Sequence, residues 1–177
     1  MIGRRYGETI RDTRRPIILD LDGCLYGFVD ALFQRLKDRW GIILREEDMP
    51  CYSLSESLGV LINNTEIEED LLDRAHDPEF FLNHVLPIPG AVESVIRLSR
   101  LFRPVVCTAR PYYMRMATKI RLDQDFGGVI STEEPQDDLF FTAHKARRAR
   151  ILNAAYAVDD SVDHAQKYAL KSIITFV

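Results

Sequence analysis

Six residues in this chain have the types and the spacing to handle a phosphate group: Asp20, Asp22, Thr108, Lys145, Asp159 and Asp160. A carboxylate can attack phosphorus and carry the phosphoryl group as an aspartyl-phosphate, which divides one difficult hydrolysis into two easier steps. A second carboxyl group can protonate the leaving alkoxide and later deprotonate the attacking water. An acid pair offers the hard oxygen ligands that Mg²⁺ prefers. That ion offsets the charge that keeps an anionic nucleophile from an anionic substrate. A hydroxyl and an ammonium hold the remaining phosphate oxygens.

The elements around these residues are placed to bring them together. Asp20-Leu21-Asp22-Gly23 follows Pro16-Ile17-Ile18-Leu19, an apolar run bounded by Pro and Gly that reads as a buried strand. Thr108 follows a second such run at Pro104–Cys107, and Asp159-Asp160 follows a third at Ala154–Val158. Lys145 opens a helix expected to reach Asn153. In a parallel sheet these positions converge on the carboxyl edge of the strands, where ligands bind in open α/β folds.

The remaining pattern is alternating strand and helix. Helices are expected over Ala91–Leu101, Tyr112–Asp123 and Val162–Leu170. Short strands are expected from Gly127-Gly128-Val129-Ile130, at Asp138–Phe141 and at Ser172–Val177. This rhythm implies an α/β fold with a mostly parallel sheet covered on both faces. Between residues 28 and 86 the character differs. Phe28, Ala31, Leu32, Leu36 and Trp40 recur at helical spacing before Gly41. An acid-rich helical stretch follows at 66–72, with no convincing strand, until Pro87-Ile88-Pro89-Gly90 punctuates the chain. The expected organisation is a polar arm at 1–15, a core at 16–27 and 87–177, and a helical cap at 28–86.

Each residue also has a plainer reading. Asp22-Gly23 is a common turn pair, and a calcium loop in its usual form is excluded because Ala31 stands at its twelfth position. Thr108 could cap the next helix, Lys145 could be one charge on a solvated face, Asp160 or Ser161 could cap the last helix, and Arg110 could pair with a surface acid. The order of the four pieces, each at a strand end or helix start, argues against coincidence.

The whole chain narrows the class. It has 177 residues, 46% hydrophobic and 28% charged, with a net charge of -4. That is enough for one core with a small insertion, and the acidic balance argues against a general nucleic-acid coat. No apolar run approaches the ~18 residues of a membrane span. The first fifteen residues hold five arginines (positions 4, 5, 11, 14 and 15) but no apolar stretch of a secretory signal. Cys24, Cys51 and Cys107 do not form a zinc pattern, and the four histidines show no paired ligand spacing. A reducing, cytoplasmic setting is expected, with the cysteines as small packed side chains.

The motifs resemble those of the haloacid dehalogenase-like phosphatase superfamily. Asp20-Leu21-Asp22-Gly23 is similar to its first motif, Thr108 to its second, Lys145 to its third, and Asp159-Asp160 to its fourth. The resemblance implies a Rossmann-like three-layer α/β/α core with a cap after the first strand. It implies Asp20 as nucleophile and Asp22 as general acid/base. It further implies Mg²⁺ held by Asp20, the backbone carbonyl of Asp22 and the acidic pair, Asp160 foremost. Phe80-Phe81-Leu82, Leu86-Pro87-Ile88-Pro89-Gly90-Ala91 and Val105-Val106-Cys107-Thr108 resemble the 5'(3')-deoxyribonucleotidase family more closely. That family implies a nucleoside monophosphate substrate, held at Thr108, Ala109, Arg110 and Lys145, with cap aromatics near the base. Phe28, Tyr52, Phe80 and Phe81 are the candidates for that stacking, against packing in a small cap core. Thr108-Ala109-Arg110-Pro111 departs from the family's Thr-Ser-Pro and is more like polynucleotide kinase-type phosphatase domains, which leaves phosphorylated nucleic-acid ends as an alternative substrate. His144 stands where an aspartate is common. A homodimer and a non-catalytic nucleotide-binding module stay open.

Overall fold

The computed structural model describes residues 12–49, 54–62, 64–134 and 136–177. Arg4, Arg5, Arg11, Cys51 and Tyr52 lie outside them. Five strands form one all-parallel sheet: β1 (Pro16–Leu19), β2 (Arg103–Thr108), β5 (Leu139–Phe141), β6 (Tyr156–Val158) and β7 (Ile174–Phe176), in the order β5-β2-β1-β6-β7. β1 is central, and all four of its residues are buried.

Alternation along β1 splits the core into two. Ile17 and Leu19 join one apolar cluster, with Val106 of β2 and residues of the helices on that face. Ile18 faces the other way with Val105, Cys107, Ala149 and Tyr168. The first face is covered by α5 (Ala91–Leu98) and α6 (Arg115–Phe126), the second by α7 (Lys145–Ile151) and α8 (Val162–Ala169). This is the expected three-layer arrangement.

Four helices stand between β1 and the Pro87 turn: α1 (Phe28–Trp40), α2 (Leu54–Leu61), α3 (Thr65–Ala75) and α4 (Pro78–His84). Their ends follow local chemistry. α1 stops at Gly41, which adopts the left-handed conformation (φ 69°). The Asn64 side chain accepts from the N–H groups of Glu66 and Ile67 to start α3, and Asp77 accepts from Glu79 N ahead of Pro78 to start α4. Leu32, Leu36, Leu58, Leu71 and Phe81 of these helices belong to the same apolar cluster as Leu19 and Val106.

Two expectations are corrected. Gly127-Gly128-Val129-Ile130 is a turn, because both glycines have positive φ (57° and 79°), outside strand geometry. The chain then makes a short antiparallel pair, β3 (Thr132–Glu133) and β4 (Gln136–Asp137), separate from the main sheet. The segment from Tyr112 begins as a single 3₁₀ turn, with α6 starting only at Arg115. No helix among the described residues is long and apolar enough to cross a membrane.

Candidate active site

The register of the sheet assembles the site. Leu19 lies opposite Val106 on one side and Val158 on the other, so the chain emerges at Asp20, Thr108 and Asp159 along one edge. Asp20 N donates to Val158 O at 2.9 Å, which ties the start of the first loop to β6. Lys145, at the first position of α7, is 3% exposed rather than solvated. Its Nζ lies 2.5 Å from Asp20 Oδ2 and 3.1 Å from Asp159 Oδ2. Asp159 is fully buried, and its other oxygen accepts from Ser161 N at 3.1 Å and meets His164 Nδ1 at 2.9 Å. Ser161, not Asp160, caps α8 by accepting from His164 N.

Burial dominates the electrostatics here. Removing Asp20 from water pushes its carboxyl up to about 7; the Lys145 ammonium pulls it back, and the neighbouring Asp159 raises it again. Burial works against the charged Lys145, but Asp20 and Asp159 outweigh it and hold its pKa above the ordinary lysine value. The thiols of Cys24 and Cys107 are both pushed up to about 12, chiefly by burial, so neither is a thiolate nucleophile.

Asp22 has a different environment. Its side chain is 34% exposed against 6% for Asp20. The Arg110 fork grips it with two bonds, Nε to Oδ2 and Nη2 to Oδ1, both 2.7 Å. The guanidinium carbon lies 4.0 Å from the centre of the Phe81 ring and 5.0 Å from that of Phe28. Arg110 Nη1 is buried with no hydrogen-bond partner. Thr108 Oγ1 accepts from Arg110 N at 3.1 Å, which fixes this turn and leaves the hydroxyl proton to donate. Thr108 therefore shapes its own loop and caps no helix. A cavity of about 320 Å³ opens beside the pair, lined by Asp22, Phe28, Leu72, Ala75, His76, Ala109 and Arg110.

The donor set fits a divalent cation. Asp20 and Asp159 meet Lys145, Asp22 meets Arg110, and Asp160 lies against Gly23 of the Asp22 loop. With Asp20 ionised, the carboxylates outnumber the cations in a partly dry site where unbalanced charge is expensive. Asp20, Asp159 and His164 bring one ligand atom each within 4.8 Å of one another. Asp160 is packed over the first loop: a Cβ added to Gly23 would fall 1.9 Å from Asp160 Oδ2. Carboxylate oxygens predominate, which favours Mg²⁺ over a softer metal.

The model of the family described as "5' nucleotidase, deoxy (Pyrimidine), cytosolic type C protein" matches residues 14–176. The chain belongs to this family. Among curated proteins, none matches the sequence. Solved structures agree on the fold. A haloacid dehalogenase-like hydrolase from Streptococcus pneumoniae superposes with a TM-score of 0.61 at 12% identity, covering 92% of this chain and 83% of that one. A subfamily IA, variant 1 hydrolase of the same superfamily from Geobacter sulfurreducens gives 0.57 at 18% identity, with 92% and 85% covered. A family IA, variant 3 hydrolase from Entamoeba histolytica gives 0.55 at 10%, with 91% and 82% covered. The protein is a hydrolase of the haloacid dehalogenase phosphatase type.

In this 5'-nucleotidase-family chain, the structure brings Asp20, Lys145 and Asp159 into one network, and Asp22, Arg110, Ala109 and Phe28 onto one cavity. Phe80 and Phe81 do not offer a face to a base. Phe80 is 4% exposed and stacks on the His84 ring at 5.1 Å. Phe81 is 1% exposed, set between Arg110 and the edge of Tyr26. Leu72, Ala75 and His76 at the end of α3, and His164 behind Asp159, were not singled out by the sequence. His164 carries a detectable signal, standing three residues after the Ser161 cap, but Leu72 and Ala75 look like any apolar helical positions.

Proposed function

We propose that the protein is a Mg²⁺-dependent phosphomonoesterase of nucleoside monophosphates, deoxyribonucleotides foremost, acting through an aspartyl-phosphate on Asp20. The observation that carries this reading is the division of labour between two carboxylates two residues apart. Asp20 is buried against an ammonium, and Asp22 is half-exposed at a cavity under a guanidinium fork.

Asp20 attacks phosphorus while Lys145 and the Thr108 hydroxyl hold the phosphoryl oxygens. Asp22, oriented by Arg110, protonates the leaving oxygen and then takes the proton from the attacking water. Asp20, Asp159, Asp160 and the Asp22 backbone carbonyl are the oxygens that would hold Mg²⁺. When bound, the ion supplies charge neutralisation between the nucleophile and the substrate. The leaving nucleoside occupies the cavity beside Phe28 and His76, whose volume falls in the range of small-molecule sites.

The test is phosphate release with Mg²⁺ over nucleoside monophosphates, sugar phosphates and phosphorylated oligonucleotides. The expected result is turnover of the monophosphates that is absent in Asp20→Asn and that, in the wild type, EDTA removes and restored Mg²⁺ recovers. Unchanged turnover by Asp20→Asn overturns it.

A further inference from the structure

The far face of the sheet carries a run of positive charge that the catalytic reading does not use. Between α7 and α8 lies a cavity of about 420 Å³, whose lining includes His144, Arg147, His164, Lys167 and Lys171 and no carboxylate. A second cavity of about 290 Å³ shares Lys171 with it and adds Arg15 and Arg150, again without an acid. Together they make one basic track. It starts beside Lys145, which also lines the first cavity, and ends at Arg15, just before β1.

These charges are not spent within the protein. Arg15, Arg147, Arg150, Lys167 and Lys171 make no ion pair among the described residues. Arg35, Arg39, Arg103, Arg110, Arg115 and Arg121 elsewhere do, whereas Lys37, Arg97 and Arg100 do not; what sets the track apart is that its unpaired cations line two adjoining cavities. Helix dipoles explain only part of the pattern. They favour Arg150 and Lys167 near helix C-termini, but Arg147 stands in the first turn of α7, where positive charge is disfavoured. Asp163 is exposed on α8 but lies in neither lining. A run of unpaired cations on a chain with net charge -4 is a local feature, not a reflection of composition.

The spread of the charges selects the ligand. A small anion needs donors that converge on one point, whereas these are distributed along two helices at steps of about one turn. We infer that the α7–α8 track binds the phosphate backbone of a single nucleic-acid strand. The described lining holds no Phe, Tyr or Trp, and its only rings are the small imidazoles of His144 and His164, so the contact is carried by the backbone rather than by a stacking platform. Leu170, 82% exposed in the first cavity, gives sugars an apolar surface. Binding is therefore sequence-independent and strongly weakened by salt. It rests on these two cavities and not on the nucleotidase reading.

Fluorescence anisotropy with the full chain and a labelled single-stranded oligonucleotide tests it. Three neutralised phosphates predict a slope of log affinity against log salt of roughly -2. Oligothymidine and a mixed sequence should bind equally. Lys167→Glu with Lys171→Glu should weaken binding about tenfold or more and flatten the slope by about one unit or more. Phosphate release from a nucleoside monophosphate and thermal melting should stay at the wild-type level. Arg147→Gln with Arg150→Gln, on the other helix, carries the same expectation should the first pair fail to fold. Wild-type binding in a folded double variant, a salt-independent affinity, or stoichiometric displacement of the strand by inorganic tripolyphosphate overturns the inference. Because binding is read directly, loss of the track and loss of turnover are separate outcomes.

Discussion

Arg110 and Asp22 are joined by two parallel 2.7 Å bonds across 88 residues of sequence, with the guanidinium stacked against the Phe81 ring. A planar fork on a carboxylate fixes both the position and the rotation of the acid. Stacking on a buried ring in turn keeps the fork from swinging out to solvent. The carboxylate proposed to meet the leaving oxygen is thus held by a residue two positions beyond the buried Thr108. That one turn ties the end of β2 to the acid that follows β1.

If Arg110 positions Asp22, its shape matters beyond its charge. Arg110→Lys keeps the charge but loses the fork, and Arg110→Ala also empties the space over Phe81. Both should lower kcat, by roughly 10- to 100-fold, the scale expected when a reacting group is misplaced by about 1 Å. Arg110→Lys should recover thermal stability more than it recovers kcat. Steady-state kinetics beside melting curves make the comparison, and wild-type kcat in Arg110→Ala would remove the assignment.

The carboxyl of Asp20, raised to about 7, makes a statement about stability. The folded protein holds this proton where the unfolded chain, near 3.8, releases it. The contribution of Asp20 is most favourable below pH 4 and is lost as pH rises through 7. In the metal-free protein, Asp20→Asn removes that penalty. It should melt higher than wild type at pH 8, by something on the order of 1–4 kcal/mol in stability, with the gap closing toward pH 5. Melting curves in EDTA at both pH values decide this. A larger deficit of Asp20→Asn at pH 8 than at pH 5 contradicts the raised value.

If Asp20 holds Mg²⁺ as proposed, the same proton competes with the ion. Binding requires the ionised carboxylate, so affinity should rise with pH through about 7 and then level off. Calorimetry in buffers of different ionisation enthalpy should detect proton release below pH 7 and none above pH 8. A pH-independent affinity between 6 and 8 would show that Asp20 is not among the ligands.

Much of this was legible in the sequence because strands buried on both faces leave a plain mark. Pro16–Leu19, Pro104–Cys107 and Ala154–Val158 are uniformly apolar, so an acid or a hydroxyl directly after each stands out. What could not be read depends on contacts between distant residues. The sequence leaves Phe81 open between stacking on a base and packing in the cap, and only the contact with Arg110 decides for packing. The bond from Lys145 to Asp159 follows from the depth of α7 against the sheet, which periodicity does not report. Gly127-Gly128-Val129-Ile130 misled because its two apolar residues suggested a strand, while the paired glycines set a left-handed turn.

Gly23 offers the sharpest steric test of the first loop. Its φ of 75° already favours glycine, and a Cβ there would meet Asp160 Oδ2 at 1.9 Å, far inside contact distance. Gly128 has a nearly identical φ of 79°, yet nothing lies within 4 Å of where its Cβ would be. Gly128→Ala therefore bears only the backbone cost, about 1 kcal/mol. Gly23→Ala bears that cost and must also move the Asp160 carboxylate. The excess destabilisation of Gly23→Ala over Gly128→Ala isolates the crowding, and it should come with weaker Mg²⁺ binding, since Asp160 is displaced from the acid group. Denaturant melts and metal titrations of the two variants, side by side, measure both effects. Equal stabilities with unchanged metal affinity would mean that Asp160 neither packs on Gly23 nor serves the cation.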